Sequence, residues 1–156
     1  LVEHGANKDQ ATNHGATPLL VAAEKGHLDM VRFLVEHGAN KDQTHKFGAT
    51  PLLVAAGRGH LDIVRFLVEH GANKDQTHKL GATPLLVAAG EGHLDIVRFL
   101  VEHGANKDQA TNDGATPLLV AAMNGNLGMV RFLVEHGANK DQATNDGATQ
   151  IGRAHV

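Results

Sequence analysis

Apolar and polar residues along this chain fall into two patterns that alternate. In the stretch from Thr50 to Ala72, the first pattern is a solid apolar run, Leu52-Leu53-Val54-Ala55-Ala56, behind Thr50 and Pro51. Thr is a favoured helix N-cap, and Pro suits the first helical position, where its missing N–H costs nothing. The run predicts a short apolar helix stopped by Gly57-Arg58-Gly59, with Gly59 available for the left-handed terminus. The second pattern runs from His60 to His70. Its Leu61, Val64, Leu67 and Val68 fall at i, i+3, i+6 and i+7, and Ile63 and Phe66 widen the stripe. That spacing predicts an amphipathic helix. Asp62, Arg65 and Glu69 lie opposite, at spacings that allow local ion pairs worth about 0.2–0.5 kcal/mol each. Gly71 is the second helix's stop. The polar stretch from Ala72 to Gln76 and beyond leads to the next Gly-Ala-Thr-Pro and predicts an extended β-turn or hairpin tip.

The same pattern returns along the whole chain. Gly-Ala-Thr occurs at Gly15, Gly48, Gly81, Gly114 and Gly147, always 33 residues apart. The 156 residues divide into a partial unit (1–11), four full units (12–44, 45–77, 78–110 and 111–143) and a second partial unit (144–156). The second and third units differ only at Phe47/Leu80, Arg58/Glu91 and Thr77/Ala110. A strict period of this length signals a solenoid. Helices shorter than about 12–15 residues are marginal alone in water, so each unit must bury its apolar faces against its neighbours.

These residues resemble the ankyrin repeat. Its signature is matched by Gly48-Ala49-Thr50-Pro51-Leu52-Leu53-Val54-Ala55-Ala56, Gly59-His60, Val64, Leu67 and Gly71-Ala72, and equally in the other three full units. The resemblance covers essentially the whole chain and implies one all-α ankyrin-repeat solenoid domain over 1–156, a helix–turn–helix plus a hairpin loop per unit. Three departures stand out. Leu20, Leu53, Leu86 and Leu119 occupy the signature's His position, exchanging a polar contact for apolar packing. The loop reads Gly-Ala-Asn-Lys-Asp where the family has Gly-Ala-Asp-Val-Asn. The last stretch loses Pro and puts Gly152 and Arg153 where Leu-Val belongs. Because it starts and stops within a unit, the chain reads as an excerpt of a longer array; Gln150 and Arg153 suggest a crude C-terminal cap as the alternative.

Composition narrows the chemistry. With no Cys or Ser there is no disulfide framework, no Cys-ligated zinc, no iron–sulfur cluster, and no thiol or serine nucleophile. A formal charge of −3 argues against coating nucleic acid. No apolar run reaches the roughly 18–20 residues of a membrane span. No basic and apolar leader opens the chain at Leu1, so an intracellular, cytoplasmic location is expected.

Twelve histidines invite a metal hypothesis. Eight of them sit in two registers: His4, His37, His70, His103 and His136 before the stop of the second helix, and His27, His60 and His93 at its start. A ladder with a helix-packing step of about 8–10 Å cannot chelate zinc, whose ligands sit about 2.0–2.1 Å from the metal. A histidine near a helix C-terminus also complements the dipole there. The carboxylates likewise recur in register beside Arg and Lys, which reads as a solvated, ion-paired face rather than an acid/base site. Arg32, Arg65, Arg98 and Arg131 form a ladder, but each has Glu four residues on, so its field largely cancels. The expectation is therefore no enzyme, no cofactor, no metal and no nucleic-acid partner.

What remains are the positions where units disagree. One is the pair before Gly-Ala-Thr: Asn13-His14, Lys46-Phe47, Lys79-Leu80, Asn112-Asp113 and Asn145-Asp146. The other ends the first helix: Glu24-Lys25, Gly57-Arg58, Gly90-Glu91 and Met123-Asn124. The resemblance places these at the hairpin tips and concave face, the usual partner-binding surface of the family. Burial does not account for Phe47 or Leu80, since other units hold His or Asp there; an exposed apolar residue flanked by Lys has the character of an interface anchor. The expected contact residues are Lys46, Phe47, Arg58, Lys79, Leu80, Glu91 and Met123, with Asp113 and Asp146 as an acidic end. The expected function is a monomeric scaffold that binds a protein partner. The alternative is a structural or designed repeat scaffold with no evolved partner, its variable positions reflecting drift or randomisation.

Overall fold

A computed structural model of the protein describes residues 6–141. Among these residues there are eight α-helices and no strand. In chain order they are α1 (Pro18–Lys25), α2 (Leu28–Glu36), α3 (Pro51–Arg58), α4 (Leu61–Glu69), α5 (Pro84–Gly90), α6 (Leu94–Glu102), α7 (Pro117–Met123) and α8 (Leu127–Glu135). The odd-numbered helices stack on one another as one layer and the even-numbered helices as a second, and the first layer packs more extensively than the second. The odd-numbered helices α1, α3, α5 and α7 are therefore the closely packed inner layer and the even-numbered ones the outer layer.

Every inner helix starts in the same way. Thr17, Thr50, Thr83 and Thr116 are buried, and each Oγ1 accepts the N–H of Leu20, Leu53, Leu86 or Leu119 at 3.1–3.2 Å. This satisfies one of the four N–H groups that a helix start leaves unpaired. The capped Leu residues are themselves buried, so apolar packing fills the place of the signature histidine.

Two expectations about helix limits are corrected. Gly57 does not stop the first helix; α3 continues through it to Arg58, and Gly59 ends it at φ 84°. Val87 Cγ1 lies 2.8 Å from where a Gly57 Cβ would stand, so the glycine marks close packing of α5 on α3. The second helix is Leu61–Glu69, with His60 and His70 at its caps rather than inside it.

The apolar stripe is also shifted. Ile63, Val64, Phe66 and Leu67 are buried, while Leu61 and Val68 pack at the edge of the core. Positions with no neighbour explain the shift. Met30 holds the Ile63 register but has no earlier helix among the described residues, and it is 53% exposed where Ile63 is fully buried. Leu127 holds the Leu61 register with no later described helix and is 65% exposed. Each second helix therefore has two apolar flanks, one for each neighbour.

Polar contacts fix how one unit sits on the next. Asn40, Asn73, Asn106 and Asn139 each accept a backbone N–H two residues on, closing a tight turn at 3.0–3.1 Å. That turn presents an aspartate to the following unit: Asp9, Asp42, Asp75 and Asp108 accept the N–H of Asn40, Asn73, Asn106 and Asn139 at 2.8–3.1 Å. The Asn-Lys-Asp loop, a departure from the family pattern, thus serves as an inter-unit clasp. Histidines have similar work. His60 Nε2–H donates to the Glu24 carbonyl at 3.0 Å and His93 Nε2–H to the Gly57 carbonyl at 3.1 Å. His70, His103 and His136 donate Nδ1–H to the carbonyls of Phe66, Phe99 and Phe132 at 2.8 Å and pack on the same rings. His37 makes the same contacts to Phe33, and His4 lies outside the described residues.

The arginine ladder is put to a different use from the one its spacing allowed. Among the described residues, no ion pair joins Arg32, Arg65 or Arg98 to the glutamate four residues on. The guanidiniums lie over Phe66, Phe99 and Phe132 of the following unit, 4.9–5.4 Å from the ring centroids. The Phe ring is apolar packing and cation seat at once.

Two substitutions test the stack. Leu100→Ala, at a fully buried position, should cost about 2–5 kcal/mol in urea unfolding. Asp75→Ala should cost about 1 kcal/mol and speed hydrogen exchange of the Asn106 amide; unchanged exchange there would mean that the clasp does not hold in solution.

Candidate functional site

Each unit approaches its inner helix through a tight turn. In the second unit, His45 N–H donates to the Ala49 carbonyl at 3.1 Å and Gly48 N–H to the His45 carbonyl at 2.8 Å, with Gly48 left-handed at φ 85°. Main-chain bonds join the tips: Lys46 N–H to His14 carbonyl at 2.8 Å, Lys79 N–H to Phe47 carbonyl at 3.0 Å, and Asn112 N–H to Leu80 carbonyl at 3.0 Å, with Asn112 Nδ2–H adding a side-chain bond to the Lys79 carbonyl at 2.9 Å. The glycine makes room for this, since a Cβ on Gly48 would come 3.1 Å from the Lys79 nitrogen.

The residues whose carbonyls accept these bonds are the ones that differ between units. Because the backbone makes the link, any side chain can occupy the position. Phe47 and Leu80 use that freedom to face solvent, 63% and 71% exposed, on consecutive tips. The Lys46 ammonium lies 5.2 Å from the Phe47 centroid, and the His45 ring meets it edge-on at 5.7 Å. Lys79 and Leu80 occupy the next tip and Asp113 the one after, all exposed.

The second variable set falls at the ends of the inner helices. Arg58 ends α3, Glu91 follows α5, and Met123 ends α7, 68% exposed. Arg58 reaches back to Glu24 at 3.7 Å. Both share with Glu91 a shallow groove of about 450 Å³, whose apolar lining is Leu53, Val54 and Val87. The structure therefore brings Arg58 and Glu91 together, and puts Lys46 with Phe47 beside Lys79 with Leu80. Asp146 lies outside the described residues. Sequence reasoning missed the groove lining. Val54 and Val87 look like core residues in the repeat, and only the stacking of α3 on α5 leaves them half-covered. Glu24 did carry a signal, as a charge at a register where the next two units have glycine.

A groove of about 390 Å³ crosses the outer layer beside Arg32, Phe66 and His70. Its lining residues recur unit after unit, and their contacts are those that bind the stack together.

A family model described as ankyrin repeats (3 copies) matches residues 1–78, 38–111 and 70–144. The chain belongs to the ankyrin repeat family. No curated protein matches it. Ankyrin repeats generally mediate protein–protein interaction, and their all-α fold is typically a non-enzymatic module. No helix among the described residues is long and apolar enough to cross a membrane.

The exposure of the tip residues has a direct check. Phe47→Asp and Leu80→Asp should each change stability by no more than about 0.5 kcal/mol. Phe66→Asp, which puts a charge into the inter-repeat packing, should abolish the cooperative melt. A large fall in melting temperature for Phe47→Asp would put that ring in the core.

Proposed function

We propose that residues 1–156 form one ankyrin domain that binds a protein partner through its hairpin tips and concave face, with no chemistry of its own. The observation that carries this reading is the exposure of Phe47 and Leu80 on adjacent tips whose backbones are tied together. Two large apolar side chains held side by side at a solvated edge cost solubility and return nothing to the fold. Lys46 and Lys79 flank them, and Arg58, Glu91 and Met123 continue the surface across the inner-helix ends. Asp113 and Asp146 supply an acidic end. The matching partner surface has an apolar spot near acidic residues and basic groups further along.

The mechanism is preorganised recognition. Backbone hydrogen bonds fix the tips before a partner arrives, so association need not supply the entropy of ordering them. Apolar anchors then contribute most of the affinity and charged neighbours set orientation.

The test is capture by the protein and by its Phe47→Asp/Leu80→Asp variant. A partner that binds through this surface should bind the variant at least about tenfold more weakly, as expected for loss of interface anchors. Equal capture by both proteins, with melting unchanged, would overturn the reading.

A further inference from the structure

His45 and His78 stand where the first and fourth full units have Thr12 and Thr111. The side chain at this register accepts a backbone N–H of its own turn. Thr12 Oγ1 accepts from the amides of His14 and Ala16 at 3.3 and 3.1 Å, and Thr111 Oγ1 from Ala115 at 3.1 Å. His45 Nδ1 accepts from the Phe47 amide at 2.9 Å, and His78 Nδ1 from the Leu80 amide at 3.0 Å. A hydroxyl can accept at any pH, whereas an imidazole nitrogen accepts only while it is unprotonated, and imidazolium is donor only. Two of the four tips therefore depend on a titratable acceptor, and they are the two that carry Phe47 and Leu80.

We propose that protonation of His45 and His78 releases the Phe47 and Leu80 amides, so that these two tips are held at neutral pH and loosened in mild acid. The charged and titratable groups on the neighbouring tips are mostly cationic or imidazole, with Asp113 the carboxylate among them. His45 has Lys46 on its own tip, His14 on the tip before, and His78 and Lys79 on the tip after. His78 has Lys79 on its own tip, His45 and Lys46 before it, and Asp113 after it. The first turns of α3 and α5 carry no acidic residue. In the connecting loops, Asp42 and Asp75 are engaged with the Asn73 and Asn106 amides, beside Lys41 and Lys74. The two tips are also linked, through Lys79 N–H to the Phe47 carbonyl, so loosening one weakens the seat of the other. The consequence for a partner, weaker binding in mild acid, rests on the reading of Phe47 and Leu80 as contacts.

Amide hydrogen exchange measured by NMR at about pH 7.5 and pH 5.5 tests the device without any partner. After correction for intrinsic exchange, protection at Phe47 and Leu80 should fall about 2- to 10-fold in acid, the worth of one net hydrogen bond. Protection at Ala115, held by Thr111, should not fall. His45→Thr and His78→Thr place at each tip the residue found at that register elsewhere in the chain, whose hydroxyl holds chiefly the amide four residues on, and each should remove the pH dependence of protection at its own tip. Imidazole ¹⁵N shifts should show both neutral rings protonated at Nε2. Equal protection of the parent tips at the two pH values, an undiminished fall in the Thr variants, or neutral rings protonated at Nδ1 would each overturn the proposal. A capture assay insensitive to Phe47→Asp overturns the binding reading alone and leaves the amide result standing.

Discussion

The face that one repeat presents to the next is the contact on which everything else in this molecule depends. Its helices are seven to nine residues long, below the length of about 12–15 residues at which a helix begins to hold in water. They persist because Ile63, Ile96 and Met129 are completely buried, and the exposure of Met30 at the same register shows what covers them. Apolar burial is non-directional, so it alone would let units rotate or slide on one another. Direction comes from polar links at three levels of the stack. Backbone joins the tips, His60 and His93 reach the ends of the inner helices before them, and Asp42 and Asp75 clasp the loops after them.

These links explain which positions the chain holds constant. Thr50, Asp75 and Phe66, whose side chains cap a helix, clasp a loop and seat a guanidinium, have equivalents in every full unit. Where the main chain makes the link, the side chain varies, and His14, Phe47, Leu80 and Asp113 follow one another on successive tips. Much of the variability thus falls at side chains the fold does not use, with Asn112 and Asn124, which donate Nδ2–H to the Lys79 and Gly90 carbonyls at 2.9 and 3.0 Å, as exceptions. The His45 register lies between these cases. It must accept a hydrogen bond, yet Thr and His both can, and the choice between them changes pH behaviour rather than fold.

Much of this was legible in the sequence because it is local. The Thr-Pro start, the left-handed glycine after Arg58 and the 3.6-residue stripe each depend on neighbours within a turn or two, and the period then copies them along the chain. What escaped was set by residues 30 or more positions away. Gly57 read as a helix stop because its neighbour Val87 is not in its own unit. Arg65 read as the local partner of Glu69 because Phe99 comes into reach only after stacking. The groove at Arg58 and Glu91 was hidden for the same reason, since it forms between helices α3 and α5. The exposure of Phe47 and Leu80 could be read without the structure, from the simple fact that a core position would not accept His or Asp in other units.

The two layers of the stack also differ in what holds them. Inner helices built from Ala55, Ala56 and Gly57 approach closely, while outer helices carrying Phe66 and Leu67 pack less extensively on one another. On the outer layer, Arg, Phe and His side chains are engaged in holding successive units together, and changing one disturbs the stack. On the inner side and at the tips, many structural bonds are made by buried Thr caps and by backbone, which leaves exposed side chains such as Phe47 and Leu80 outside them. Side chains on adjacent tips can meet one surface together, and freedom from the fold's own bonds lets them be exchanged singly. A surface with both properties can acquire an anchor such as Phe47 by one substitution, with the fold beneath it unchanged.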